Sequence, residues 1–524
     1  MYLYLRKYLY LIICLLGISS LYAQKKFLHS PLHKLQVAEY AIQNFYVDEV
    51  DEAGMVEDAI VGMLKGLDPH SIYFNAAEVK SMNEPLQGNF EGIGIQFDLS
   101  TDTLYVVQTI SGGPSEKVGL LPGDRIIQIN DTLIAGRRLS IDDIKSRLKG
   151  PKDSRVSVKV LRRGTPGTLT FDIRRDKIPV HSIDAAYMAN GETGYIRISR
   201  FAATTGKEFS VALDRLKKAG MQHLILDLQG NGGGYLGAAI EVADELLERH
   251  QMIVYTEGRK SPRAEFTAKG NGRFRKGQLM VLVDEYSASA SEIVSGAIQD
   301  WDRGRIVGRR TFGKGLVQRP YELPDGSMIR LTVARYHTPS GRCIQKPYGN
   351  GKDYNRDLLN RYAHGEMMSA DSIQLPDSLK YRTLQQGRTV YGGGGIMPDI
   401  FVPIDTTLFT GYYLKLRDQG VIVRENVSLV DRHRNEWLKK YDTPRRFLSE
   451  FQITDQMLQG LLHRAGAMKI PFDEEQYKVS QSLIKTQMKA LIARDLWGMN
   501  EYYHVINQLN NSMLRAMELI ENLN

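Results

Sequence analysis

The chain of 524 residues is 42% apolar and 24% charged, the make-up of an ordinary globular protein with room for about three domains. That composition excludes a disordered tract and a multispan membrane protein. The formal charge of +8 is spread without a long basic block, so it describes a solvated surface and not a nucleic-acid footprint.

The first 23 residues, "MYLYLRKYLYLIICLLGISSLYA", set Arg6 and Lys7 before an apolar run from Tyr8 to Ile18 and close on Ala23. This is the pattern of a secretory signal, with cleavage expected near Gln24. The run is short for a bilayer span, which leaves an uncleaved anchor as the alternative. The mature chain would carry 66 basic against 60 acidic residues, a net +6. Cys14 lies within the signal after bulky Ile13, which argues against a lipoprotein site. Cys343 is the other cysteine, so neither an intrachain disulfide nor a cysteine-rich zinc site is expected. The 11 histidines show no HExxH spacing, and His29 with His33 reads as an exposed pair. No metal and no cofactor are expected.

Apolar residues recur at helical spacing over residues 35–45 and 56–67, predicting two amphipathic helices before "LDPHSIYF" (67–74) breaks the pattern. From Gly88 to Arg175 the texture is short β-rich runs between glycine turns: "FEGIGIQFDL", "TLYVVQTI", "DRIIQIN", "SRVSVKVLRRG" and "TLTFDIRR". One helical insert, "SIDDIKSRLKG", interrupts them. After Pro179 strands and helices alternate, as in an α/β core. "TGYIRIS" and "QHLILDL" read as strands around a helix over 205–219, then "LGAAIEVADELLER" as a helix and "QLMVLVDEY" as a strand. From about Asp405 the pattern is helical, with a stripe of Val479, Leu483, Ile484, Met488, Leu491 and Ile492 suited to a core or a dimer surface.

Within "VDEYSASASEIVSGAIQD" (283–300), Ser287, Ser289 and Ser291 alternate where an apolar strand gives way to a helix. Ser289 with Glu292 three residues on matches a capping box, which by itself needs no chemistry. The next glycine-rich segment changes that reading. "RRTFGKGLVQRP" presents Lys314 between Gly313 and Gly315, with Gln318 four positions later. Gly308 to Lys314 fits GxxxxGK, but Gly315 stands where a phosphate loop needs Ser or Thr. "DLQGNGGGYLG" (227–237) resembles a dinucleotide loop but lacks a second mononucleotide half.

Acyl transfer uses both glycine-rich stretches. A serine at a helix start can attack a carbonyl while the Ala290 N–H and the helix dipole meet the developing oxyanion; the GNGGG turn can supply a second N–H. No His with an Asp partner is signposted locally, whereas Lys314 can serve as base if neutral. Lowering it from about 10.4 to near 8 asks roughly 3 kcal/mol of burial.

"SASASE" with Gln299 and Asp300, followed by "TFGKGLVQ", resembles the signature of the carboxy-terminal processing proteases, also called tail-specific proteases. The resemblance implies Ser289 as nucleophile, Lys314 as general base, Gln318 as the residue that orients the lysine, and an oxyanion site on Ala290 and Gly232 or Gly233. It departs at Gln229, where the family usually has arginine after "DL", which puts a secondary brace in doubt and not the dyad. Asp300 stands at a position associated with support of the site, and at a helix end it equally suits a structural partner.

The β-rich insert is similar to the PDZ domain that interrupts the protease in this family. In it the backbone N–H groups of Gly92, Ile93, Gly94 and Ile95 would hold a chain-end carboxylate, and the bound tail would add a strand beside "IQFDL". "GLLPGDRIIQIN" (119–130) is typical of the same domain, and "YGGGGIMPDIFV" (391–402) is similar to a late motif of some members. The matches span about residues 35–405.

The expected fold class is an α/β protease core with an inserted β-rich PDZ domain, an N-terminal helical segment and a C-terminal helical extension. The divisions are 1–23 (signal), 24–87, 88–176 (PDZ), 177–405 (core) and 406–524. The expected function is an exported serine endopeptidase of the bacterial periplasm that binds the free C-terminal tails of protein or peptide substrates and hydrolyses peptide bonds through an acyl-enzyme. No nucleic-acid partner is expected, and membrane contact only through an uncleaved signal. A homodimer or an adaptor protein stays open. The rivals are a catalytically silent or latent PDZ scaffold or chaperone, and an esterase or amidase for small acyl groups, which a PDZ would serve poorly.

Overall fold

A computed structural model of the chain describes residues 30–99, 103–110, 112–349 and 354–522; the segment read as a signal lies outside them. Its central sheet has six strands in the order Ile183–Met188, Thr193–Ile198, His223–Asp227, Leu279–Val283, Arg305–Gly308 and Ile400–Phe401. The first pair is antiparallel and the rest run parallel. Helices cover both faces, which is why the middle strands carry the unbroken apolar runs 224–226 and 279–283. Leu224, Leu226, Val281 and Val283 meet the helices Thr205–Lys218, Leu236–Asp244 and Ala290–Asp300. The alternate residues Ile225, Met280 and Leu282 meet Met513, Ala516 and Ile520 of the helix Asn511–Asn522.

The Leu236–Asp244 helix stops short of the run "ELLER" that sequence spacing assigns to it. Glu245 turns its carboxylate to the Arg273 N–H, the Arg273 guanidinium and Ser210, while Leu246 and Leu247 fold back onto the Ala243 carbonyl.

A second, antiparallel sheet joins Ile72–Phe74, Met328–His337, Met252–Gly258 and Ser261–Thr267, with Leu316–Glu322 also paired to Met328–His337. Its edge comes from the N-terminal segment, Ile72 facing Arg330 across 258 positions of chain.

The PDZ unit is a sheet ordered Ile95–Asp98, Leu104–Thr109, Arg125–Ile129, Arg155–Leu161 and Leu169–Arg174, with its own core around Val106, Ile126, Val158 and Ile173. The helix Ile141–Leu148 is capped by Ser140 and Asp143 in a reciprocal box. The chain enters and leaves this unit side by side: Asn89–Gly92 pairs antiparallel with Asp176–Pro179 to make a two-stranded neck.

Six helices between Gly411 and Ile506 enclose a separate core that takes in Leu483, Ile484, Met488, Leu491 and Ile492 of the predicted stripe, while Val479 stays exposed. This extension reaches both neighbours. Asn500 Oδ1 accepts the Ala186 N–H at 2.8 Å on the protease core. On the PDZ side, Val423 and Val427 pack on Tyr105 and Val107, and Asp431 pairs with Arg125 at 2.8 Å and Arg163 at 2.9 Å.

At the other end, the helices Pro31–Phe45 and Glu52–Lys65 form as spacing predicts, started by Ser30 and Asp51 caps. The first buries none of its residues. Among the described residues no helix is long and apolar enough to cross a membrane, and no group of three or more His, Cys, Asp or Glu is placed to hold a metal ion.

Candidate active site

The strand Leu279–Val283 hands over to the helix Ala290–Asp300 through a tight turn in which Ser289 has φ 55° and ψ −111°. A serine in this region costs about 1–3 kcal/mol, so its surroundings must enforce it. The two flanking serines do that. Ser287 Oγ donates to the Leu228 carbonyl at 2.9 Å and accepts the Asp284 N–H, and Ser291 Oγ donates to the Asn231 carbonyl at 2.8 Å. Both are fully buried, whereas Ser289 remains partly open.

These bonds sew the serine turn to the glycine turn. Gly233 has φ 103°, and a Cβ there would lie 2.8 Å from both the Ala288 carbonyl oxygen and Ser289 Cβ, so only glycine allows the approach. Its N–H already donates to Asn231 Oδ1 at 2.9 Å, while Gly232 is exposed with open space around it. Ala290, the first residue of its helix, has an N–H with no intrahelical acceptor.

One buried carboxylate ties the serine turn to the lysine loop. Glu292 Oε2 accepts the backbone N–H of Ser289 at 2.8 Å and of Lys314 at 2.9 Å; Oε1 accepts the Gly313 N–H at 2.7 Å and the Thr311 hydroxyl at 2.6 Å. The Tyr336 hydroxyl makes a second bridge, 2.6 Å from the Lys314 carbonyl oxygen and 3.1 Å from that of Ser289. Gly313, at φ 89°, lets the loop pass within reach of the backbone of the "YGGGGIMPDIFV" segment; a Cβ would sit 3.1 Å from the Gly395 N. Thr311 and Ile396 exchange hydrogen bonds there, which gives this late motif the task of backing the lysine loop.

Burial, then the Arg330 guanidinium, lower the Lys314 ammonium to about 8 against the opposing pull of Glu292 and Asp68. Gln318 faces Thr332 across the Leu316–Glu322 and Met328–His337 pair, its Nε2 3.5 Å from Thr332 Oγ1. Sequence reasoning missed the next partner. The turn of "LDPHS" arrives from the N-terminal segment, and Thr332 Oγ1 donates to Asp68 Oδ1 at 3.0 Å. In the same turn, burial and then Lys314 lower His70 to about 4, while its Nε2 lies 2.8 Å from the Tyr354 hydroxyl. The only local sign of this arrangement was the interruption of the helical pattern at Leu67.

Two further expectations concern supporting residues. Asp300 is fully buried at the far end of its helix, about 16 Å along the axis from Ser289. It accepts from Arg342 at 2.7 Å and from the Ser340 N–H at 2.9 Å, the contacts of a structural partner. At Gln229 the brace is built differently: Arg197 donates to Asp227 Oδ2 at 2.6 Å and to the Gln229 carbonyl at 2.8 Å, and the Gln229 amide oxygen accepts from Asn510 at 2.7 Å.

The structure thus gathers Ser289, Ala290, Gly232, Gly233 and Lys314 on three adjoining loops, the serine turn, the glycine turn and the lysine loop, with Gln318 on the strand after the lysine. Gly92, Ile93, Gly94 and Ile95 lie apart, on the PDZ unit, beside the sheet's edge strand Ile95–Asp98.

Models of known families match four separate stretches of the chain. The model of peptidase family S41 matches residues 192–355, and that of the PDZ domain residues 105–162. A family described as the activating protease CtpB N-terminal domain matches residues 18–78, and a family of unknown function, DUF8443, residues 412–498. The chain is 34% identical over 333 residues to the carboxy-terminal processing protease CtpA of Bacillus subtilis, covering 63% of this chain and 70% of that one. It is 36% identical to the carboxy-terminal-processing protease of Bartonella bacilliformis (58% and 70% covered) and 37% identical to the carboxyl-terminal-processing protease of Synechocystis (55% and 68% covered).

Proposed function

The chain belongs to the carboxy-terminal processing proteases, serine-type peptidases of family S41 that here carry a PDZ domain, and from that premise we propose an exported endopeptidase with a Ser289/Lys314 dyad. The observation that supports the dyad best is Glu292, whose carboxylate fixes the backbones of both residues at once.

Lys314 takes the Ser289 hydroxyl proton as Oγ attacks the scissile carbonyl. With its ammonium at about 8, roughly a tenth of the lysine is neutral at pH 7. The N–H groups of Ala290 and Gly232 receive the oxyanion, since the Gly233 N–H is engaged by Asn231. The protonated lysine returns its proton to the leaving amine, and an acyl-enzyme forms on Ser289. Water, deprotonated by the again neutral lysine, releases the acyl group. Gln318 keeps the lysine oriented.

Substrate tails bind the PDZ unit. The strand Ile95–Asp98 is a sheet edge, so an extended tail can add to it, its carboxylate held by the N–H groups of Ile93, Gly94 and Ile95, while Gly92 is engaged with Asp176 in the neck. Residues 1–23 direct export to the periplasm in this reading. Pairing as a homodimer and delivery by an adaptor are left to measurement.

Cleavage of an unstructured protein with an apolar C-terminal tail, by the purified chain beside Ser289→Ala, tests the reading. Products that depend on Ser289 and on a free tail carboxylate support it. Tail binding without cleavage by either form overturns it in favour of a scaffold.

A further inference from the structure

Asp68 sits 246 positions before Lys314 and on the far side of the PDZ insertion, yet its carboxylate is the hub of a small network on the sheet that the lysine loop leads into. Oδ1 accepts the Thr332 hydroxyl at 3.0 Å together with the N–H groups of His70 and Ser71, and Oδ2 accepts the Ser71 hydroxyl at 2.5 Å. Ser71 Oγ in turn accepts the Thr332 N–H at 3.1 Å. Thr332 is therefore gripped at both its main chain and its side chain by one turn. Its register partner is Gln318, whose amide lies against the same hydroxyl.

We propose that Asp68 is a positioning residue for the hydrolysis: through Thr332 it fixes the Gln318 amide on the strand after Lys314, so that the N-terminal segment completes the site. This rests on the Ser289/Lys314 reading. With its hydroxyl proton given to Asp68, Thr332 Oγ1 has lone pairs left only to accept, and the Gln318 Nε2 is the donor beside it. The Gln318 Nε2 is thereby turned toward Thr332, which assigns the other amide atom, Oε1, to the lysine.

The charge of Asp68 has a second effect that a purely structural residue lacks. The charged groups acting on Lys314 are Arg330 from the Met328–His337 strand, Glu292 from the helix and Asp68 from the turn; His70 of the same turn is itself acted on by Lys314, Asp68, Arg330 and Lys346. Of the two carboxylates, Glu292 is saturated by four donors from the catalytic loops, which leaves Asp68 as the acidic group that can be altered without unpicking those loops.

The test compares Asp68→Asn, Asp68→Ala, Thr332→Val and Thr332→Ser for turnover of a tailed substrate from pH 6 to 10, with melting temperature as the check on folding. The expected result is a fall in kcat of about 10-fold or more for Asp68→Ala and Thr332→Val, with KM within about two-fold because the tail site is elsewhere. Thr332→Ser restores most of the turnover. The double variant Asp68→Ala/Thr332→Val is no worse than either single one, as for two members of one chain of contacts. Loss of the carboxylate in Asp68→Asn also moves the alkaline rise of activity to lower pH, since a neighbouring negative charge favours the ammonium. Folded Asp68 variants with wild-type kcat and an unmoved pH profile overturn the proposal, as do additive losses in the double variant. A wild-type chain that shows no Ser289-dependent cleavage instead removes the dyad reading beneath it.

Discussion

Glu292 and Lys314 meet through the main chain and not as an ion pair: Glu292 Oε2 accepts the Lys314 backbone N–H at 2.9 Å. The carboxylate is thus a clamp on the loop that presents the lysine, and burial pushes its own pKa upward against the donors that hold it. Replacement by glutamine confronts four donors with an amide that has only one acceptor atom. Glu292→Gln should lower turnover by about two orders of magnitude through misplacement, and Glu292→Ala should cost about 2–4 kcal/mol by leaving buried donors unpaired. Turnover and thermal melting of the two variants check this; wild-type rates in Glu292→Gln refute it.

The backbone of Ser289 yields a prediction about stability. Its φ of 55° and ψ of −111° suit glycine, and alanine gains nothing there. Ser289→Ala and Ser289→Gly should both abolish cleavage, and the glycine variant should melt above the alanine one by the equivalent of about 1 kcal/mol. Equal melting temperatures would mean that the turn is not strained.

In the proposed dyad Lys314 should set the pH dependence. A base lowered to about 8 gives activity that rises with pH through that value, whereas His70, neutral above about 4, would place the rise far lower. A pH–rate profile with its rise between 4 and 7 would assign the base to the histidine. Stability carries the matching sign: between about 8 and 10.5 the unfolded chain binds the proton that the folded one has lost, so Lys314 destabilises below 8 and its penalty disappears as pH climbs through that window. Lys314→Met should therefore be inactive yet more stable at pH 7 by up to about 3 kcal/mol, with the advantage fading toward pH 10.5. Melting at pH 7 and pH 10 measures the difference.

Asp431 joins the C-terminal extension to the PDZ unit through Arg125 and Arg163, over an apolar contact of Val427 with Tyr105 and Val107. Asp431→Ala should loosen this face while leaving the separate cores folded. Hydrogen exchange at residues 104–109 should quicken by about 10-fold or more, with little change in the exchange of the helical core. Unchanged protection would show that the apolar contact alone holds the unit.

Much of this architecture is written in local patterns. The runs "LIL" (224–226) and "LMVLV" (279–283) are apolar throughout because helices cover both faces of their sheet, and the helix from Thr205 declares itself by Phe209, Ala212, Leu213 and Leu216 at helical spacing. Ser289, Lys314 and the glycines stand out because the proposed nucleophile, the proposed base and close backbone contacts each demand a residue type. The antiparallel sheet did not show itself: Leu316–Glu322 is mostly exposed, and Met328–His337 is half-buried with arginines at 330 and 335, so neither has a clean alternation. Asp68 was hidden for a different reason. Its partner Thr332 lies 264 positions away, and nothing local in a short polar turn announces such a pairing.

The chain order of the clamped site also bears on biosynthesis. Ser289 and Lys314 leave the ribosome well before the strand Ile400–Phe401 closes the central sheet, and Asn510, which grips Gln229 beside the glycine turn, comes 196 positions after the lysine. The two residues of the proposed dyad therefore exist on an unfinished sheet for much of translation. The contact that Asn510 makes beside the glycine turn forms only once that residue has emerged, so the proposed site is assembled late in synthesis.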